Sequence, residues 1–198
     1  MVLPVLKIAL LTGLRLGEIR RLTWNRIDLS KRTLLVGQSK TKAGTGRMIP
    51  MHTELYRVFT EQAAYLARKL ERPIEQSWYV FPFMNRRKPV DPTQPVTSVK
   101  TAWESVREAA GLSDFRFHDL RHTALTHLAE AGVPEETMKS IMGHMSRAML
   151  ERYSHIRMQA KRTAIDGLSL PDYSGQSGQD LNAHVKESPK KSSEKRIQ

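Results

Sequence analysis

The chain has 198 residues, 39% of them hydrophobic, and a formal net charge of +12, which suits one folded body with a polyanionic partner. Residues 171–198 hold five Lys or Arg against four Asp or Glu, a net of +1, so 1–170 carries +11 and the basic excess belongs to the part expected to fold. Cysteine is absent, which excludes disulfides, thiolate metal sites and cysteine nucleophiles and is compatible with a cytoplasmic protein.

The opening segment VLPVLKIALL is apolar but interrupted by Lys7. It is too short to span a bilayer, and no small-residue cleavage site follows it. It predicts a buried helix over Val5–Thr12 that stops at Gly13, and a second helix over Leu14–Leu22 with Leu16, Ile19 and Leu22 inward. Two β-like runs follow, Thr33–Gly37 and Arg47–Met51, joined by the polar, glycine-containing QSKTKAGTG, which reads as a hairpin loop. Thr53 is expected to cap a long helix with the core face Leu55, Val58, Phe59, Gln62 and Leu66. WYVFPF (78–83) predicts a third strand, and NRRKPVDPTQP (85–95) reads as a basic, proline-rich loop.

Val99, Ala102, Trp103, Val106 and Ala110 mark a helix closed by Gly111. The next helix runs from His118 to Ala131 on the stripe Leu120, Ala124, Leu128 and Ala131, with His118 and Arg121 on the opposite face. Pro134-Glu135-Glu136 starts a helix that ends at Gly143, and Ser146 caps a last one carrying Met149 and Tyr153. From Pro171 the composition turns to Gly, Ser, Gln and Lys, the signature of a disordered tail. The fold class is α+β, mostly α, with a small antiparallel sheet.

Several residues have the chemistry of a site, and each alone has an ordinary explanation. Arg15 and Glu18 stand three apart in TGLRLGEI and also fit a surface ion pair. Lys40 and Lys42 sit in the hairpin loop, where a solvated lysine is common. His118 and His122 have the i, i+4 spacing of a helical zinc pair, but Asp119 replaces the glutamate of H-E-x-x-H and no third ligand is evident. GHMSRAMLERYSH sets Tyr153 nine residues after His144; a half-buried tyrosine with a satisfied hydroxyl is the plain alternative. His122 and His155 read as structural.

Together, in order, TGLRLGEI, KAGTGRMIP, HDLRH and GHMSRAMLERYSH resemble the catalytic domain of the tyrosine recombinases, the phage-integrase family, from about Leu10 to about Arg157. The resemblance implies catalytic roles for Arg15, Lys42, His118, Arg121, His144 and Tyr153, with Glu18 supporting Arg15 and Lys40 the rival for the hairpin lysine. The implied reaction is cleavage and rejoining of DNA through a 3′-phosphotyrosine, with no metal, cofactor or ATP. The two arginines grip the non-bridging oxygens, His118 takes the phenol proton, His144 donates to a phosphate oxygen and Lys42 protonates the leaving 5′ oxygen.

Double-stranded DNA is the implied partner. Four subunits are expected on DNA, contacting through about 159–170, and a monomer in solution. The resemblance also implies a separate helical DNA-binding domain ahead of the first motif. That domain is expected to be missing here, leaving 1–170 as the catalytic domain and 171–198 as the tail, with weak, poorly selective DNA binding. A catalytically silent DNA-binding module and a type IB topoisomerase are the competing readings.

Overall fold

A computed structural model describes residues 2–39, 44–85 and 88–168. Helices dominate, with two small antiparallel sheets, as the α+β reading expects. The chain divides at Arg162 into two units. The second unit begins at Thr163, inside the last helix, and its residues beyond 168 lie outside the described residues together with the expected tail.

Helix α1 (Val2–Thr12) buries Val5, Ile8, Ala9 and Thr12, one helical face. Pro4 is tolerated because the first turn lacks internal N–H acceptors. The helix ends at Gly13, whose φ of +64° only glycine adopts without strain. Helix α2 is short, Leu16–Arg20 instead of the expected Leu14–Leu22, because Gly13 and the extended backbone at Arg15 delay its start.

Strands β1 (Ile27–Asp28), β2 (Thr33–Leu35) and β3 (Met48–Pro50) form an antiparallel meander. Its register pairs Leu34 with Ile27 on one side and Ile49 on the other. All three side chains are buried, while Met48 is 62% exposed. The pairing continues past β2, where Val36 N–H donates to the Arg47 carbonyl at 2.8 Å. The expected β2 and β3 are thus present but shorter, and β1 was not anticipated because two residues give no periodic signal.

Helix α3 (Thr53–Leu70) buries the five residues expected of it, Leu55, Val58, Phe59, Gln62 and Leu66. Gln62 belongs to that apolar stripe because its amide donates to the Val80 carbonyl at 2.8 Å. The cap is His52 and not Thr53: its Nδ1 accepts from Glu54 N–H at 3.2 Å.

The segment 78–95 departs most from expectation. The strand sought at 78–83 begins only at Pro82 (β4, Pro82–Asn85), and the expected proline loop is strand β5 (Lys88–Pro95). Prolines suit this two-stranded ribbon because the missing N–H groups can fall at bulges and edges, while Pro92 still lends its carbonyl to Tyr79 N–H at 2.9 Å.

Helix α4 (Lys100–Ala109) packs Trp103 and Val106 on the core, with Trp103 against Phe115 and Phe117. Ala102 and Ala110, expected inward, are exposed. Helices α5 (Asp119–Glu130), α6 (Glu135–Met142), α7 (Arg147–Arg152) and α8 (Ser154–Asp166) complete the fold. Ser146 caps α7 as read, its Oγ accepting from Met149 N–H at 3.2 Å, but α7 is not the last helix and stops at Arg152, one residue short of the Tyr153 it was expected to carry.

The large core joins α1, α2, α3 and the strands. A smaller cluster gathers Ala124, Leu125 and Ala129 of α5, Met138 and Met142 of α6, Met145 and Tyr153. Gly13 touches this cluster: a Cβ there would meet the Met142 thioether. Gly13→Ala should therefore cost about 1–3 kcal/mol from left-handed backbone strain and displaced Met142. Gly17→Ala, inside α2 with only ordinary contacts nearby, should be neutral or gain up to about 1 kcal/mol; urea denaturation compares the two.

Candidate active site

The site forms where the turn after α1, the roots of the β2–β3 connection, the start of α5 and the loop after α6 meet. Arg15 is the N-cap of α2. Glu18 turns back onto it: Oε2 accepts Arg15 N–H at 2.9 Å and Oε1 lies 3.4 Å from Arg15 Nη1. This is the returning half of a capping box, which accounts for the three-residue spacing. The Arg15 Nη2 donates to the His144 carbonyl at 3.3 Å.

Arg121, in the first turn of α5, donates from Nη2 to the same His144 carbonyl at 3.2 Å and from Nη1 to the Gly13 carbonyl at 2.6 Å. Two guanidiniums far apart in sequence thus meet on one oxygen. The expectation that Arg121 lies opposite the apolar stripe is corrected: it is 2% exposed. The buried side of α5 is wider than Leu120, Ala124 and Leu128, and takes in Arg121, Leu125 and Ala129; Ala131 is exposed.

Burial pushes the Arg121 guanidinium down to about 10, with the Arg15 charge adding to the effect, Glu18 opposing it and Arg47 reinforcing it. Its Nε–H has no partner. A cation in this state gains from any anion brought to it.

His118 stands at the N-cap position of α5, exposed and with no capping side-chain hydrogen bond, its ring edge-on to His122 with centroids 5.5 Å apart. Burial first, then the nearby His122, Arg121 and Arg15, lower its pKa from 6.5, with Asp119 opposing. The imidazole is therefore neutral at neutral pH and able to accept a proton.

Tyr153 stands at the break between α7 and α8 and is 9% exposed. Its hydroxyl lies 3.2 Å from His122 Nδ1 and 3.4 Å from the His122 carbonyl. His122 thus meets the phenol that the sequence reading paired with His118. An open hollow lined by Arg116, Asp119, His122, Thr126, Arg152 and Tyr153 adjoins this contact. The His144 imidazole is exposed, and what the residue gives the cluster is its carbonyl. Lys42 and its rival Lys40 lie outside the described residues.

Arg47 was missed. It is 8% exposed and grips Glu18, itself 4% exposed, with Nη2 to Oε2 at 2.9 Å and Nη1 to Oε1 at 3.3 Å. Its Nε donates to the Ile141 carbonyl at 2.8 Å, its Nη1 also to the Gly44 carbonyl, and Ser39 Oγ donates to Glu18. A signal was present in the strand alternation: Arg47, Ile49 and Met51 share a face, and all three are buried.

A profile of the phage integrase family matches residues 3–160. The chain belongs to that family. The integrase of Salmonella phage P22 is 30% identical over 157 residues, 77% of this chain and 38% of that protein. The shufflon-specific DNA recombinase of Escherichia coli is 30% identical over 158 residues, 79% of this chain and 35% of that protein. This integrase-family chain therefore spans well under half the length of these two relatives. The Tn1549 transposon integrase in complex with circular intermediate DNA aligns with a TM-score of 0.57 and 25% identity, over 80% of this chain and 56% of that one. The catalytic domain of bacteriophage HP1 integrase shares the fold, with a TM-score of 0.53 and 20% identity, over 85% of this chain and 83% of that one. Among the described residues, no helix is long and apolar enough to cross a membrane.

Burial alone would raise the Glu18 carboxyl, but hydrogen bonds from Arg47, Ser39 and the Arg15 backbone outweigh it and hold the group below its ordinary 4.5. A carboxyl held low in the folded state stabilises at pH above its unfolded value and loses that contribution as pH falls through its folded value. Glu18→Gln, which leaves Arg47 buried without a counter-charge, should cost about 3–5 kcal/mol at pH 7. The gap from the parent should narrow as pH drops below about 4, when the parent carboxyl protonates too. Urea denaturation at both pH values measures it.

Proposed function

We propose that residues 1–170 form the catalytic domain of a site-specific DNA strand transferase that cleaves and rejoins duplex DNA through a 3′-phosphotyrosine at Tyr153, without metal or ATP. The observation that supports this most is the meeting of Arg15 and Arg121 on the His144 carbonyl oxygen. Where two guanidinium forks aim at one acceptor, a phosphate oxygen finds paired donors and a full opposite charge.

In this reading the Tyr153 oxygen attacks phosphorus, a Tyr–O–P bond forms and the P–O5′ bond breaks. The phenol proton passes to His118 and the departing 5′ oxygen takes one from Lys42. Negative charge grows on the non-bridging oxygens as phosphorus becomes five-coordinate, so Arg15, Arg121 and the His144 imidazole act most strongly in the transition state. The phosphotyrosine keeps the ester energy, and attack by a second 5′ hydroxyl reverses each step and rejoins the strands. The Tyr153 hydroxyl must leave His122 to reach the phosphate.

The basic excess of +11 over 1–170 matches a duplex DNA partner. The functional assembly is four subunits on DNA, formed from chains monomeric in solution, in a cytoplasmic setting. The buried, His122-bound Tyr153 favours one alternative, a catalytically silent DNA-binding module.

Incubation with a library of nicked suicide duplexes separates the two. A covalent protein–DNA adduct should form with the parent chain and vanish with Tyr153→Phe. Arg15→Lys and Arg121→Lys should each slow it about 10²–10³-fold, since an ammonium lacks the planar fork. No adduct with the parent chain, or one that survives Tyr153→Phe, contradicts the proposal.

The pH dependence tests His118. Its neutral form is the base, and its pKa lies below 6.5, so adduct formation should hold as pH falls past that value and decline only as the imidazole protonates. An acid limb centred above pH 7 would count against His118 as the base.

A further inference from the structure

Arg15 and Glu18 form an ion pair that, taken alone, works against a phosphate grip. A carboxylate beside a guanidinium consumes the charge the phosphate would use. Arg47 changes that balance. It makes the shorter contact with Glu18, 2.9 Å against 3.4 Å from Arg15, and presents two guanidinium nitrogens where Arg15 presents one. Arg47 is also the more deeply buried partner, its side chain 6% exposed against 22% for Arg15, so its hold on Glu18 is less weakened by water. Two guanidiniums, of Arg15 and Arg47, hold this one carboxylate directly, and Arg121 feels its charge.

Arg47 also fixes position. Its Nε holds the Ile141 carbonyl in the last turn of α6, and its Nη1 holds the Gly44 carbonyl beyond the root of β3. Those two backbones touch closely: a Cβ on Gly143 would lie 3.0 Å from the Gly44 Cα and 3.3 Å from Arg47 Nη1. Gly143 precedes His144, whose carbonyl is the shared acceptor of Arg15 and Arg121. One buried side chain thus reaches both the carboxylate that orients Arg15 and the turn that aligns the two arginines.

We infer that Arg47 is a positioning residue for phosphate binding: it takes up the Glu18 charge, so that Arg15 keeps its own for a DNA phosphate, and it anchors the turn that presents the His144 carbonyl. The inference rests on the strand-transfer reading above. Without Arg47, Glu18 turns its whole charge on Arg15, and the pair that should meet the phosphate becomes nearly neutral on one side.

The test compares Arg47→Met, Arg47→Lys and the double variant Arg47→Met/Glu18→Gln. Adduct formation is measured at saturating nicked duplex. Affinity for orthovanadate, a tetrahedral phosphate mimic that can become five-coordinate when bound, is measured by titration calorimetry. Arg47→Met should slow adduct formation at least about tenfold, because Arg15 then loses part of what a well-placed phosphate donor supplies, and should weaken vanadate binding. The double variant should recover several-fold in both, because the stray carboxylate charge is gone. Arg47→Lys, which keeps the charge and loses the fork, should fall between the parent and Arg47→Met.

A purely structural Arg47 would leave the double variant no better than the single one, which overturns the inference; so would Arg47→Met within twofold of the parent. Should Arg47→Met not fold, the parent, Arg47→Lys and the double variant decide the same point: a double variant slower than Arg47→Lys by more than tenfold overturns it. If the parent forms no adduct, the strand-transfer reading fails, and the vanadate series alone decides the role of Arg47.

Discussion

Two guanidinium groups held side by side repel each other, and much of this chain is arranged to meet that cost. At a separation of about 4 Å and an effective dielectric near 20, two unit charges repel by about 4 kcal/mol. Arg15 and Arg121 accept the repulsion because the His144 and Gly13 carbonyls and the Glu18 carboxylate lie against them. Burial first, and the Arg15 charge after it, still push Arg121 down to about 10. The pair stores an unmet demand for negative charge, and folding alone does not satisfy it. That demand makes the cluster suited to a phosphate.

The fold serves this arrangement with small, specific devices. The positive φ of Gly13 ends α1 and turns its carbonyl to Arg121. The β2–β3 pairing runs on to Val36 and Arg47, which brings a strand guanidinium under α2. The glycines at 44 and 143 let two backbones approach where no side chain would fit. Each device is local in sequence, and the site exists only where they coincide.

The helices were largely legible because their apolar periodicity is strong. The α3 face was readable residue by residue, Gln62 included, and the glycine and serine punctuation of α4 to α7 marks real ends. What escaped has a common cause: it depends on partners distant in the chain. The β5 strand hid behind prolines because pairing with β4 decides its conformation. Arg121 looked solvent-facing because a charge on a helix normally is, and only the Gly13 and His144 carbonyls make its burial tolerable. Arg47 carried a strand-alternation signal but no motif weight. The contact of His122 with Tyr153 joins α5 to the end of α7, and no spacing rule reaches across that gap.

Tyr153 does not rest on the main core. It belongs to the smaller cluster, in which Met138, Met142 and Met145 are joined by Ala124, Leu125 and Ala129. Thioether side chains are unbranched and reshape at little cost, so they adapt to gaps that stiffer residues leave open. A ring withdrawn from such surroundings leaves a void its neighbours can flow into. The cavity penalty for withdrawing a buried ring is softened where methionines line its seat, and the Tyr153 ring can change places while the arginine cluster, braced on the larger core, stays where it is.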